Sequence, residues 1–177
     1  MEHSVWMENL LEAVAQVGDE GRAACDFLRA RRTKIGFKRA RPNVGAFWTP
    51  FGNIRLNAQY YTYETPLENL RIKTLIIHEC RHLQQGILTA LSVYGELDAW
   101  QLEFGIYHRV MGKYPHSAIA ELMTLPLKYD RTVLKKAATL MRAYAGKGYR
   151  VDLLPLYPLD KEIKYWIFRE KSLSGTS

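Results

Sequence analysis

Two histidines four residues apart, with a glutamate directly after the first, close an apolar run: Thr74-Leu75-Ile76-Ile77-His78-Glu79-Cys80-Arg81-His82. No other stretch constrains the fold as tightly. In a helix, residues four apart lie one turn apart, about 40° around the axis, so His78 and His82 share a face. Both imidazoles can then meet one metal ion. Zinc accepts nitrogen, oxygen or sulfur donors in a tetrahedron, with one position left open at a catalytic site. Glu79 projects at the border of the same face, where its carboxylate can take a proton from the metal's water.

The flanking residues bound this helix. Thr65-Pro66-Leu67-Glu68 reads as its start: Thr65 caps, Pro66 takes the first helical position and Glu68 closes a capping box. The helix is expected to run to about Gln85, with Gly86 as its stop. The next helix spans about 90–111, contains Gly95 and ends at Gly112. It offers Glu96, Asp98, Glu103 and His108 as a third donor. Positions 96, 100, 103 and 107 share a face, while Asp98 lies about 200° from Glu96. Antiparallel neighbours joined by a short connection bring Glu96 nearest to the histidines. Glu103, about 10 Å further along, suits a supporting or structural role. Asp98 and Glu103 stay open as alternatives.

Around this helix pair the chain reads as α+β. Residues 5–30 carry apolar positions at helical spacing, interrupted near Gly18 and Gly21. Lys34–Lys38 is a short strand. Residues 46–57 form a hairpin: strand Ala46–Thr49, a turn at Thr49-Pro50-Phe51-Gly52, and the half-buried strand Asn53–Asn57. Ser117 and Asp130 read as N-caps of two further helices, the second ending at Gly146-Lys147-Gly148. Residues 151–158 form an extended connector, 160–170 a last helix, and Ser172–Ser177 a frayed tail. One domain covers 1–177, with a catalytic core over 1–112 and a helical extension over 113–177. A small sheet is expected to pack on the 66–85 helix.

Thr74–Leu83, followed by Gly95-Glu96-Leu97-Asp98-Ala99-Trp100, resembles the zincin-like metallopeptidases of the gluzincin type, including those like ImmA/IrrE. In several of these a Glu-x-x-Ala pattern on the next helix supplies the third ligand, and Glu96 and Ala99 match it. The resemblance covers roughly residues 66–112. It implies a minimal zincin-like core: a helix, a small antiparallel sheet, the H-E-x-x-H helix and a ligand helix. It further implies His78, His82 and Glu96 as zinc ligands, Glu79 as general base, and hydrolysis of a peptide or protein substrate. Arg81 inside the motif and the short interval from His82 to Glu96 depart from the usual pattern.

Other residues have plainer readings. Cys80 points away from the histidines as a packed thiol. Tyr60, Tyr61 and Tyr63 are strand packing before they are cleft donors. Arg81 pairs with Asp98 or Glu103. Trp48, Trp100 and Trp166 are core or groove aromatics, and the strand around Asn53–Asn57 could form the sheet edge along which a peptide lies. The net charge of +7 is concentrated between Arg29 and Arg41. It reads as a solvated surface that steers acidic substrates, with nucleic acid as the secondary partner. No apolar stretch could span a bilayer, no signal peptide opens the chain, and two cysteines make no disulfide framework. A cytoplasmic protein without a membrane partner is expected. The competing function is a non-catalytic metal-containing or basic binding and regulatory module, with 113–177 as its working surface.

Overall fold

The computed structural model describes residues 3–146 and 148–174, with side chains to residue 168. Helices α1 (His3–Ala15) and α2 (Asp19–Ala30) precede strands β1 (Ile35–Lys38), β2 (Ala46–Trp48) and β3 (Ile54–Asn57). Helices α3 (Leu70–Gln85), α4 (Ile87–Ala90) and α5 (Val93–Met111) follow, then α6 (Ser117–Leu122), α7 (Arg131–Ala145) and α8 (Leu159–Ser174). A single 3-10 turn, Val151–Leu153, lies between α7 and α8. The class is α+β, as expected, with helices dominating.

The sheet differs from the antiparallel one expected. β2 and β3 form the antiparallel hairpin, but β1 runs parallel to β3, giving the order β1-β3-β2. Asn57 explains the arrangement. Its buried side-chain amide donates to the carbonyls of Arg41 (3.0 Å) and Val44 (2.7 Å) and accepts from Ala40 N–H (3.1 Å). The loop after β1 is thereby tied to the end of β3, so β3 rather than β2 lies beside β1. β3 is therefore the central strand, not the edge expected for Asn53–Asn57. The edge next to the helices is β2.

Helix starts also move. α3 begins at Leu70, because Asn69 caps it by accepting from Arg71 N–H. Thr65 instead accepts from Thr62 N–H, closing a turn ahead of the helix, so the Thr65–Glu68 capping box does not form. His116, not Ser117, caps α6 through its ring nitrogen, whereas Asp130 caps α7 as read. The Ser172–Ser177 tail is helical to Ser174, and 175–177 lie outside the described residues, as does Lys147.

Two apolar clusters flank α5. One gathers α1, α2, the sheet and α3, with Trp6, Leu10, Leu28, Ile54 and Ile76 almost completely buried. The other gathers α6, α7 and residues 151–157 against Val93, Leu97, Trp100 and Phe104 of α5. Cys80 belongs to the first, its thiol directed at the Ala24 carbonyl and away from the histidines. No helix among the described residues is long and apolar enough to cross a membrane.

α3 and α5 run antiparallel, and the contacts read off the register: Gln85 with Gly95, Arg81 with Asp98, and both Arg71 and His78 with Glu103. Ser92 caps α5, and the one-turn α4 fills the connection that makes the His82–Glu96 interval short. Gly95 permits this tight return. A Cβ there would stand 2.1 Å from the Thr89 carbonyl oxygen. Gly95→Ala is expected to destabilise the fold by about 1–3 kcal/mol through overpacking, read from the urea midpoint. Gly105→Ala has only Met123 Cε at 3.8 Å and should instead stabilise α5 by about 0.5–1 kcal/mol.

Candidate metal centre

Buried on the cleft side of α3, His78 and His82 turn their Nε2 atoms to within 3.0 Å of each other. Glu96, in the first turn of α5, faces both: its carboxylate lies 4.0 Å from His78 Nε2 and 3.6 Å from His82 Nε2. Donors at about 2.0–2.1 Å from a tetrahedral zinc stand roughly 3.3 Å apart, and these separations bracket that value. His78, His82 and Glu96 could hold one metal ion. Asp98 and Glu103, the open alternatives, do not join them.

Each imidazole is held from behind. His82 Nδ1 lies 3.1 Å from Gln85 Oε1. The Gln85 amide nitrogen donates to Gly95 O (2.9 Å) and Asp98 Oδ2 (2.7 Å). That orients the amide oxygen toward His82 and makes Nδ1 its protonated nitrogen, leaving the Nε2 lone pair for a ligand. Asp98 is fixed in turn by Arg81, whose Nε donates at 2.7 Å and whose Nη2 donates at 3.2 Å. Behind His78, Nδ1 stands 2.8 Å from Glu103 Oε2. The approach is bent off the ring N–H direction, which leaves Nδ1 without a straight hydrogen bond. Glu103 is itself buried and paired with Arg71. Such outer contacts set tautomer and ring orientation at metal-binding histidines. Arg81 thus pairs with Asp98, one of its two expected partners. Arg71 gave no motif signal and was missed.

Without a metal, a proton occupies the same place. Burial pulls the His78 imidazole down, but Glu103, Glu79 and Glu96 outweigh it and lift the group to about 9. Burial, together with the neighbouring His78, holds His82 below its usual value. His78 therefore donates Nε2–H to the neutral His82 Nε2. Glu79, pushed up to about 7 by burial, accepts the Trp48 N–H at 2.9 Å. That N–H belongs to the outward side of β2, because the β3 pairing uses Gly45 and Thr49.

The residues surround a cavity of about 450 Å³. Its wall includes Phe47 and Trp48 from the edge strand, Leu75 from α3, and Tyr144 and Tyr149 from the C-terminal half. Tyr149 was not singled out from sequence, yet its hydroxyl donates to Glu96 Oε2 and accepts from Trp100 Nε1 (2.9 Å). Burial keeps that phenol protonated well above its usual range. Tyr60 and Tyr63 serve packing instead: Tyr60 bonds the Pro42 carbonyl, and Tyr63 meets Trp6 and Phe37. No protein-family model, curated protein or solved structure matches the chain.

Metal uptake must displace the proton on His78. At pH 7.5 a divalent transition-metal ion is expected to release about one proton per site, seen as a dependence of the calorimetric enthalpy on buffer ionisation. Affinity should rise with pH until His78 has given up its proton, which is half complete at about 9, and fall as the pH is lowered. Glu103→Ala and Gln85→Ala should each weaken binding about 10–100-fold, whereas Glu96→Ala should remove a ligand and cost more.

Proposed function

We propose that this chain is a zinc-dependent metallopeptidase of the zincin-like, gluzincin type, with His78, His82 and Glu96 as ligands and Glu79 as general base. One observation carries the proposal. Three donors of the right chemistry stand at near-tetrahedral separations, each imidazole is braced by a second partner, and a buried carboxylate adjoins them at a cleft. The donor set of two nitrogens and one carboxylate fits zinc with a position open for reaction. The bound ion supplies a Lewis acid that acidifies water and polarises a carbonyl.

This chain's residues supply the rest. Glu79 accepts the proton of the attacking water and passes it to the leaving amine. Burial gives its carboxylate a basicity near neutrality, and the Trp48 N–H fixes one oxygen so that the other serves the cleft. The Tyr149 hydroxyl, itself held by the Trp100 ring N–H, donates to Glu96 Oε2, the oxygen nearer His78, and so fixes the carboxylate. β2, as the cleft-side edge, offers the outward backbone groups that Glu79 does not take to an extended peptide by strand addition. Phe47, Leu75 and Tyr144 keep the surroundings apolar.

Glu79→Gln keeps shape and hydrogen bonding but removes the base. It should leave zinc content and fold intact and lower turnover about 10²–10⁴-fold, measured on a peptide library digested by zinc-loaded protein and read by mass spectrometry. His78→Ala should lose zinc and activity together. Wild-type turnover in Glu79→Gln would assign the base elsewhere. Zinc-loaded wild type that cuts nothing across broad libraries would favour the non-catalytic metal-containing or basic binding module.

A further inference from the structure

The chain's positive charge lies in one place. Residues 27–63 contain eight of the 25 cations and none of the 18 carboxylates, so the rest of the molecule is nearly neutral. Seven of the eight, all but Arg55, are exposed. Among the described residues only Arg29 has a carboxylate partner, Glu8. Strand alternation places Lys34, Lys38 and Arg55 on the outer face of the sheet, opposite the core-facing Ile35, Ile54 and Leu56. Gly36 makes this face continuous: a Cβ there would stand 2.7 Å from Arg55 Nη1, so the guanidinium lies across β1 between the two lysines.

Arg31 joins this surface to the cleft. α2 ends with Thr33 N–H donating to Leu28 O (2.9 Å) and with Arg32 in the left-handed region (φ 52°). That ending turns Arg31 toward the hairpin, over the Phe27 ring at 5.4 Å. There it lines a side pocket of about 280 Å³ beside the metal cleft, and Trp48, Pro50, His82 and Ile87 line both. No carboxylate lines the side pocket. A peptide laid along β2 and past the Thr49–Gly52 turn would bring a side chain to Arg31 a short way from the histidines.

Building on the peptidase function proposed above, we propose that this protein selects acidic peptide segments: Arg31 in the side pocket receives a substrate carboxylate, and the sheet face with Lys34, Arg55 and Lys38 receives the acidic residues that follow. Arg31 supplies a planar, permanently charged fork suited to a carboxylate, and the exposed cations raise the encounter rate at low salt. Continuity with the amide-binding cleft favours a peptide over a nucleic acid, because one extended chain can occupy both.

Binding can be measured apart from turnover. A fluorescein-labelled, glutamate-rich peptide and its glutamine twin would be titrated by anisotropy into the full chain with no metal added. The glutamate peptide should bind about tenfold tighter or better, with the difference fading at high salt. Arg31→Glu should erase the preference, Arg31→Lys should keep part of it, and Lys135→Glu on the exposed face of α7 should leave it intact. Circular dichroism would confirm that each variant folds. Equal affinity for the twins would overturn the proposal, as would equal effects of Arg31→Glu and Lys135→Glu. An oligonucleotide of the same charge that binds tighter and displaces the peptide would also overturn it, assigning the face to nucleic acid. Neither result touches the hydrolysis test: Glu79→Gln with wild-type turnover removes the base assignment and leaves an acidic preference standing.

Discussion

The antiparallel contact between α3 and α5 is the constraint on which the rest of the structure depends. It is closed by a one-turn helix and a glycine that lets α5 pass against the Thr89 carbonyl. Once that register is set, four polar residues of α3 meet partners on α5 in sequence, from Gln85 at one end to Arg71 at the other. A displacement by one residue along α5 would turn Glu96 by about 100° around the helix axis, away from the histidines. The same displacement would strand Glu103 and Asp98, whose burial requires a partner.

That contact explains how a core tolerates so much ionisable chemistry. His78, Glu79, His82 and Glu103 are all buried among apolar side chains. An uncompensated charge in such surroundings would be costly. Here two short chains of contacts pair Glu103 and Asp98 each with an arginine, Arg71–Glu103–His78 and Arg81–Asp98–Gln85–His82, the second passing through a neutral amide. Both chains begin at a partly exposed arginine and end at an imidazole. Burial works against ionisation of Glu103, but Arg71 and His78 hold its carboxyl below the usual range, while Arg81 fixes Asp98 in place; the carboxylate and amide fix the ring orientations.

Much of this was legible in the sequence, for reasons that can be named. The histidine pair and Glu96 follow from helix periodicity, because spacing along a helix fixes direction. Arg81 was readable as an ion-pair partner of Asp98 or Glu103, and the structure uses Asp98. Residues whose roles depend on long-range contacts were not readable. Arg71 sits two turns before the motif, without a spacing that distinguishes it from any helix arginine. Tyr149 lies 53 residues from the carboxylate it bonds, and only the docking of α7 on α5 brings it there. The sheet was misread because strand order depends on Asn57, whose side chain stands in for backbone pairing that a local pattern cannot reveal. The start of α3 was misread because two cap sequences, at Thr65 and at Asn69, lay within one turn of each other and the structure uses the later.

Tyr149 has a consequence for the order in which the molecule is assembled. All three donor side chains have been synthesised once residue 96 has emerged, but the hydroxyl that holds Glu96 arrives 53 residues later. It is seated by a segment that docks through the Pro155 and Leu156 carbonyls onto the start of α5. During synthesis on the ribosome, a growing chain would carry histidines and glutamate with one wall of their chamber still missing. The finished chamber therefore appears late, after α7 and the segment behind it have closed over α5, so that completion of the site reports completion of the fold.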